Sequence, residues 1–268
     1  MLTTQSPVVQ YLAESSPQRQ AETRETLKRQ VRPHNPFHEV MPDGAWRGEP
    51  CFVIAGGPSL RGFDFERLRG RGRVIAINRA IEFVPFADIG FFMDNKLYKR
   101  LHEPRYRDAW DRFEGRMVFL DLVGRDYDDC YHVRSLGRVG LSASIKHGLF
   151  HGNNSGVGAL NLALCLRASP IYLLGYDMRH MGGRAHFHDG YGAQPNERTV
   201  RGFVRDFERQ EAYVRKLEAR IINLNPASGL RMYPFSTIDE VLNDGQTGQG
   251  VGNDNDVVRA PELQPASA

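Results

Sequence analysis

The sequence predicts an α/β fold: a Rossmann-like, mostly parallel sheet with helices on both faces. Three observations predict it. Short apolar runs alternate with segments of helical periodicity along most of the chain. Several of those runs stop at a glycine or a polar residue instead of fading out. The first run, within CFVIAGGPSL at 51–60, is cut off by Gly56-Gly57-Pro58-Ser59. Alternating strands and helices are built most economically as parallel strands joined by crossovers that cover the sheet on both sides.

The elements follow in order. Residues 1–45 are polar and charged, and Pro33, Pro36 and Pro42 make their last part read as an extended linker. This gives an N-terminal arm outside the core and a domain over 46–242. Cys51 to Ile54 is the first strand. Pro58 pre-sets φ for a following helical turn, where its missing N–H is not needed. Phe63, Phe65 and Leu68 form the apolar side of a short helix, and Val74 to Ile77 is the second strand, ending at Asn78. Ile81 to Val84 fits a short helix. Asp88 to Met93 is the third strand, ending at Asp94-Asn95. Lys96 to Trp110 reads as a helix interrupted at Pro104, and Met117 to Leu122 is the fourth strand. The stretch 126–149, with its His, Arg, Asp and Gly residues, reads as loops or an inserted lid. Gly156 to Leu166 is apolar all round and predicts a buried helix. Pro170 to Leu174 is a central strand ending at Gly175-Tyr176-Asp177. A glycine- and histidine-rich loop covers 182–192. Val200, Phe203, Val204, Phe207, Val214 and Leu217 recur at helical spacing. Ile221 to Leu224 is a last strand, and Ile238 to Leu242 a closing helix. The composition of 243–268, rich in Gly, Asn, Asp, Pro and Ser, predicts a disordered tail.

Bulk properties narrow the classes. A chain of 268 residues with 41% apolar residues suits a soluble globular protein. The formal charge of +3, from 35 basic and 32 acidic residues, does not indicate nucleic acid. Its three cysteines, Cys51, Cys130 and Cys165, have no metal-ligand spacing, and two of them sit in apolar runs. That usage and the absence of a charged, then apolar, leader pattern predict a cytoplasmic protein. No run of about 18 apolar residues exists to span a membrane. The composition is compatible with an oligomer as with a monomer.

In parallel sheets, ligands bind outside the carboxyl ends of the strands. That rule gathers Gly56, Gly57, Ser59, Asn78, Asp94, Asn95, Gly175 and Asp177 along one edge. Gly56 and Gly57 allow close backbone approach to a phosphate or simply make a strand-to-helix turn. Asn78 offers a donor and an acceptor to a ribose or base, or makes a local turn. Asp94 has three readings: an Mg²⁺ ligand through water, a partner for a sugar hydroxyl, or a cap for the helix from Lys96. Asn154, Ser155 and Gly156 open the apolar helix, where they cap it and face a phosphate or sugar. Asp177 is placed as a base or hydroxyl ligand, or as a structural acid bonding loop amides. His180, His186 and His188 share a loop with Arg179 and Arg184, which reads as a basic loop closing on phosphates.

The segments VIAGGPSL, VIAINRAIEFVPFADIGFFMDN, NNSGVGALNLALCLRASPIYLLGYDM and IINLNPASGL, spread over residues 51–230, resemble the MptE-like family. That family holds 6-hydroxymethylpterin diphosphokinases and related motility-accessory glycosyltransferases. The segments also look like bacterial sialyltransferases of related fold. The resemblance implies a nucleotide-binding Rossmann-like domain, with Gly56, Gly57 and Ser59 by phosphate, Asn78 at the ribose or base and Ser155-Gly156 in the donor pocket. Two departures stand out. The diphosphokinases carry a pair of acids for Mg²⁺ where this chain has Asp94-Asn95, and the sialyltransferases carry a catalytic His where this chain has Arg201. Three functions follow as expectations. The first is a transferase using a nucleotide-activated donor, of glycosyltransferase type, on an unidentified acceptor. In it Asp177, His186 or His188 takes the acceptor's proton, and Arg179 or Arg184 stabilises the departing phosphate. The second is an ATP- and Mg²⁺-dependent diphosphokinase acting on a pterin-like alcohol. The third is a nucleotide-binding module without catalysis.

Overall fold

The computed structural model describes residues 35–122, 124–125, 127–188, 195–217 and 219–244. The rest of the predicted arm and the tail beyond residue 244 lie outside them, as does part of the histidine loop. The strands are β1 Cys51–Ile54, β2 Arg73–Ile77, β3 Ile89–Phe92, β4 Arg116–Asp121, β5 Tyr131–Gly137, β6 Leu149–Phe150, β7 Ile171–Leu174 and β8 Ile221–Asn223. They form one eight-stranded sheet in the order β6-β5-β4-β3-β2-β1-β7-β8. Each neighbouring pair is parallel. The chain steps outward from β1 to β6, then returns to the other side of β1 for β7 and β8. This reversal makes a topological switch point between β1 and β7, the place where open α/β sheets leave a crevice.

The helices are α1 Asn95–Leu101, α2 Pro104–Asp111, α3 Ser155–Cys165, α4 Glu197–Arg215 and α5 Ile238–Asp244. Two apolar clusters cover the two sheet faces. Val53, Ile75, Phe91 and Val118 pack with Val157, Leu160 and Leu164 of α3 on one face. Phe52, Val74, Phe92 and Phe119 pack with Leu60, Leu68, Leu97 and Trp110 on the other. Successive strand residues alternate between the clusters, as a pleated strand covered on both sides requires. Every residue of α3 is buried, including Asn161. Asn161 is fully satisfied for that position: its Oδ1 accepts from the Phe150 and Ser142 amides at 3.0 and 3.2 Å, and its Nδ2 donates to the Ser142 carbonyl at 2.7 Å. Among the described residues, no helix is long and apolar enough to cross a membrane.

Three expectations change in detail, and a fourth, the interruption of the 96–110 helix at Pro104, is met. The helix expected over 96–110 is divided, with Pro104 opening α2 at a position whose N–H has no partner to lose. The expected short helices near 65 and 80 are 3₁₀ turns, at Phe65–Leu68 and Asn78–Glu82. The stretch 126–149 is not a lid: it supplies β5 and β6 and extends the sheet. Its polar residues disguise this because their partners are distant in sequence. The His132 amide donates to the Asn35 carbonyl, and the Gly140 amide donates to Gln210 of α4. Residues 35–45, assigned to the arm by their prolines, pack on the fold. Phe37 is wholly buried and Met41 joins the core.

Candidate functional site

A cavity of about 740 Å³ opens at the carboxyl edge of the sheet, over the switch point. That volume suits a small ligand or cofactor. Its wall includes Gly56, Gly57, Asn78, Asp94, Asn154, Ser155, Gly156, Gly175, Arg179, His186 and His188, brought from six separate segments. Of the residues singled out in the sequence, Ser59, Asn95, Asp177, His180 and Arg184 are not on that wall. Arg79 and Met178 are on it and went unnoticed, and so are Val200 and Phe203, which the sequence marked only as part of a helical repeat. Val200 and Phe203 stand three apart on the first turns of α4, a spacing that reads as core. Arg79 directly follows Asn78, and only that adjacency could have marked it.

The glycine loop is shaped by its neighbours on β7. The Ala55 and Gly57 amides donate to the Leu174 and Gly175 carbonyls at 2.8 and 2.9 Å. The Ser59 amide donates to Asp177 Oδ2 at 2.7 Å, and the Leu60 amide to the Gly57 carbonyl at 3.2 Å. Among the described residues, Gly56 N–H is the loop amide with no such partner. Gly57 has an ordinary φ of −64°. Its need for glycine is spatial: a Cβ there would lie 2.3 Å from the Gly175 carbonyl oxygen and 2.6 Å from the Asp177 carboxyl carbon. Close approach is thus required, but to the loop after β7.

Asp177 ties three loops together. It is 1% exposed. Its Oδ1 accepts from Ser59 Oγ at 2.6 Å and from Asn225 Nδ2 at 2.7 Å, while Oδ2 takes the Ser59 amide. Both oxygens are directed at the loops after β1 and β8. Buried carboxylates satisfied in this way are rigid and expensive to disturb. Asn225, which sequence reading passed over, completes the set.

Asn78 and Ser155 meet across the cavity wall. Asn78 leaves β2 with φ at 53°, in the left-handed region that asparagine tolerates better than most residues. Ser155 Oγ donates to its Oδ1 at 3.2 Å. Beside them, Asn154 Oδ1 caps α3 by accepting from the Val157 amide at 3.0 Å. Asp206 of α4, 5% exposed, accepts through Oδ2 from the Asn153 amide at 3.1 Å and from Asn154 Nδ2 at 3.4 Å.

Asp94 is exposed and caps α1, its Oδ1 accepting from the Lys96 amide at 2.7 Å. Asn95 is turned to Tyr127, whose hydroxyl donates to Asn95 Oδ1. Among the described residues, Asp94 is the one Asp or Glu on the cavity wall, and no group of three His, Cys, Asp or Glu side chains is arranged to hold a metal ion. The side chains present do not make the two-acid Mg²⁺ set of a diphosphokinase.

The histidine loop is fastened to the glycine loop. The Phe187 amide donates to the Gly56 carbonyl at 3.0 Å. The Phe187 ring packs against Phe83 and Phe65, with centroids 4.9 and 5.7 Å away. His186 and His188 therefore fall on the same side, their rings parallel within 9° and 5.6 Å apart. Burial holds the His186 imidazole below the ordinary histidine value of 6.5; a bond to the Gly56 backbone opposes this and the charge of His180 adds to it. His180 Nε2 lies 2.9 Å from the Pro195 carbonyl oxygen. Arg179 reaches the Ala227 carbonyl at 3.1 Å through Nη1. Arg184 closes a tight turn with Met181 by two backbone bonds.

No protein-family model matches the chain, and no curated protein matches it in sequence. Among solved structures it is similar to the MAf glycosyltransferase from Magnetospirillum magneticum AMB-1, at 16% identity and a TM-score of 0.47. That match covers 82% of this chain and 38% of the other, so this chain spans well under half of that protein's length. It is also similar to the sialyltransferase CstII from Campylobacter jejuni, solved with the substrate analogue cytidine-5'-monophosphate. There the identity is 13% and the TM-score 0.43, over 82% of this chain and 95% of that one.

Proposed function

We propose that this protein is a transferase that moves a group, of the glycosyl type, from a nucleotide-activated donor to a hydroxyl acceptor. The observation that carries this reading is the switch-point cavity itself, in which His186, its pKa lowered by burial, lines the same space as the glycine loop and the start of α3. The motif resemblance points the same way. The donor lies along Gly56, Asn78 and Ser155, with its phosphate towards Gly56 N–H and Arg179. His186 takes the proton of the acceptor hydroxyl as the new C–O bond forms. The bond from the transferred carbon to the phosphate oxygen breaks, and that oxygen leaves with the electron pair, its charge met by Arg179. Asp177 acts at one remove, by fixing the loop that carries Gly56 and Gly57.

The test is donor turnover across CMP-, UDP- and GDP-sugars, paired with His186→Asn. The substitution is expected to lower turnover by roughly 10²–10⁴-fold, the usual worth of a general base, while nucleotide affinity holds. Nucleotide binding with no turnover of any donor would replace this reading with a non-catalytic binding module. No binding and no turnover would end both.

A further inference from the structure

Resting on that reading, we infer that the acceptor carries a phosphate group, held outside the donor site by Arg79, Arg100 and Arg105 where they meet around Tyr106. The first reason is convergence. The guanidinium carbons of Arg79, Arg100 and Arg105 lie 5.1, 5.2 and 5.3 Å from the centroid of one ring, that of Tyr106. They come from three elements: the 3₁₀ turn Asn78–Glu82, the last turn of α1 and the first turn of α2. A cation gains from the face of an aromatic ring, but one ring has two faces for three cations, and the cations repel one another. An anion shared between them turns that repulsion into attraction. Glu82 supplies one carboxylate, which accepts from Arg79 Nε and Nη2 at 2.5 Å. The other charges on these elements offset each other. Arg107 pairs with Asp111, Arg112 with Asp108 and His102 with Asp129. Exposed Lys96 and Lys99 stand against exposed Asp94 and Glu103. A phosphate monoester suits the place better than a carboxylate. It carries close to two charges near neutrality, and its three terminal oxygens can take N–H pairs from several guanidiniums at once, whereas one bidentate fork engages both oxygens of a carboxylate.

The second reason is position. Arg79 is 6% exposed and lines the cavity wall beside Asn78, while Arg100 is half-buried and Arg105 exposed. The three thus lead from the cavity out to solvent. Arg79 follows β2 and the two helices follow β3, whereas Arg179 follows β7, which lies on the other side of β1 in the sheet. A donor phosphate near Gly56 and Arg179 leaves the three arginines for a second ligand. The turn that carries Arg79 also borders the histidines: Phe83, directly after it, stacks on His188 with centroids 5.9 Å apart and planes within 15°. A molecule anchored at the arginines therefore has His186, parallel to His188, on the same cavity wall to receive the proton of its hydroxyl.

Calorimetry on the full chain tests this. CMP, UMP, GMP and AMP are titrated first, and the one that binds best is then held saturating. Glucose 6-phosphate and inorganic phosphate are titrated into that complex at fixed ionic strength, beside glucose and glucuronate. At least one of the two phosphates is expected to bind roughly tenfold or more tightly than glucose and glucuronate. Arg100→Gln combined with Arg105→Gln should weaken that phosphate by roughly tenfold, with nucleotide affinity as in the parent. Three results overturn the inference and leave nucleotide binding in place: neither phosphate binds the loaded protein, glucuronate binds as tightly as the phosphates, or phosphate displaces the nucleotide. A folded double variant that loses nucleotide affinity along with phosphate also overturns it, because the arginines would then serve the donor. Failure of all four nucleotides to bind would instead remove the proposed function and the acceptor assignment with it. The comparison of ligands uses the unaltered protein, so it stands even if the double substitution impairs folding.

Discussion

Asp177 receives a backbone N–H, a hydroxyl and a carboxamide N–H, and gives nothing back. Asp177→Asn keeps the shape but turns one acceptor into a donor, which then faces the Ser59 amide or Asn225 Nδ2. An unsatisfied buried donor costs about 1–3 kcal/mol, so denaturant unfolding should show a loss of that size. Nucleotide affinity should fall as well, because the loop carrying Gly56 loosens. Full stability in the variant would mean that the carboxylate is not the link between the loops. His186 makes a second prediction at this scale. A base must be unprotonated, and burial holds this imidazole below the ordinary value of 6.5. The rate kcat/KM should therefore be level around neutrality and fall only as the pH drops below that value. An acid limb centred at or above 6.5 would take the role of base away from His186.

At the scale of elements, the site depends on a contact between the loops after β1 and β7 that glycine permits. Gly57→Ala forces a Cβ to within 2.3 Å of the Gly175 carbonyl oxygen, a backbone atom that cannot turn aside. Overpacking of this kind typically costs about 1–3 kcal/mol, and here the strain lies in the binding loop. Melting curves should show reduced stability, and the shift produced by nucleotide should shrink. Gly202 is the counter-case. It sits inside α4, and among the described residues nothing outside its own helix backbone and chain neighbours comes within 4 Å of its Cβ position. Gly202→Ala should raise stability by roughly 0.5–1 kcal/mol through helix propensity alone, with ligand binding unchanged. A destabilised Gly202→Ala would show that α4 packs more tightly there than its open surroundings indicate.

For the whole molecule, pH acts through a histidine outside the cavity wall. His151 is 6% exposed, with its Nδ1 buried and unpartnered among the described residues. Burial first, and then the charge of Arg138, depress its pKa from 6.5 to about 4. Between those values the unfolded chain binds a proton that the folded chain refuses. Stability is therefore fully present above pH 6.5 and is lost as the pH falls towards 4, by up to roughly 3 kcal/mol. Urea titrations at several pH values should show this slope, and His151→Gln should flatten it; an unchanged slope in the variant would assign the effect to other groups. Nucleotide acts on the same global equilibrium. The cavity wall draws on segments from Ala55 to Phe203, so a bound ligand clasps most of the sheet. At a free concentration 100-fold above Kd, binding should add about 2.7 kcal/mol to unfolding.

The sequence by itself determined the fold class and most of the sheet, because a strand buried on both faces must be apolar throughout and must stop where the chain reaches the polar edge. Runs such as CFVI, RVIAI and IYLL carry that information locally. It determined the edge as well: eleven of the residues picked out at strand ends and in the loops line the cavity. Tertiary structure alone decided three things. It made a strand of YHVRSLG, whose buried His132 and Ser135 would be unstable without long-range partners. It packed Phe37 into the core from a proline-rich stretch, since 3₁₀ turns and isolated bridges need no periodicity. And it directed Asp177 to Ser59, 118 residues away, and to Asn225, 48 residues away. An acid at the end of a central strand looks the same in sequence whether it faces a substrate or a neighbouring loop. Only the positions of the donors around it decide, and those donors are supplied by chain that is distant in sequence.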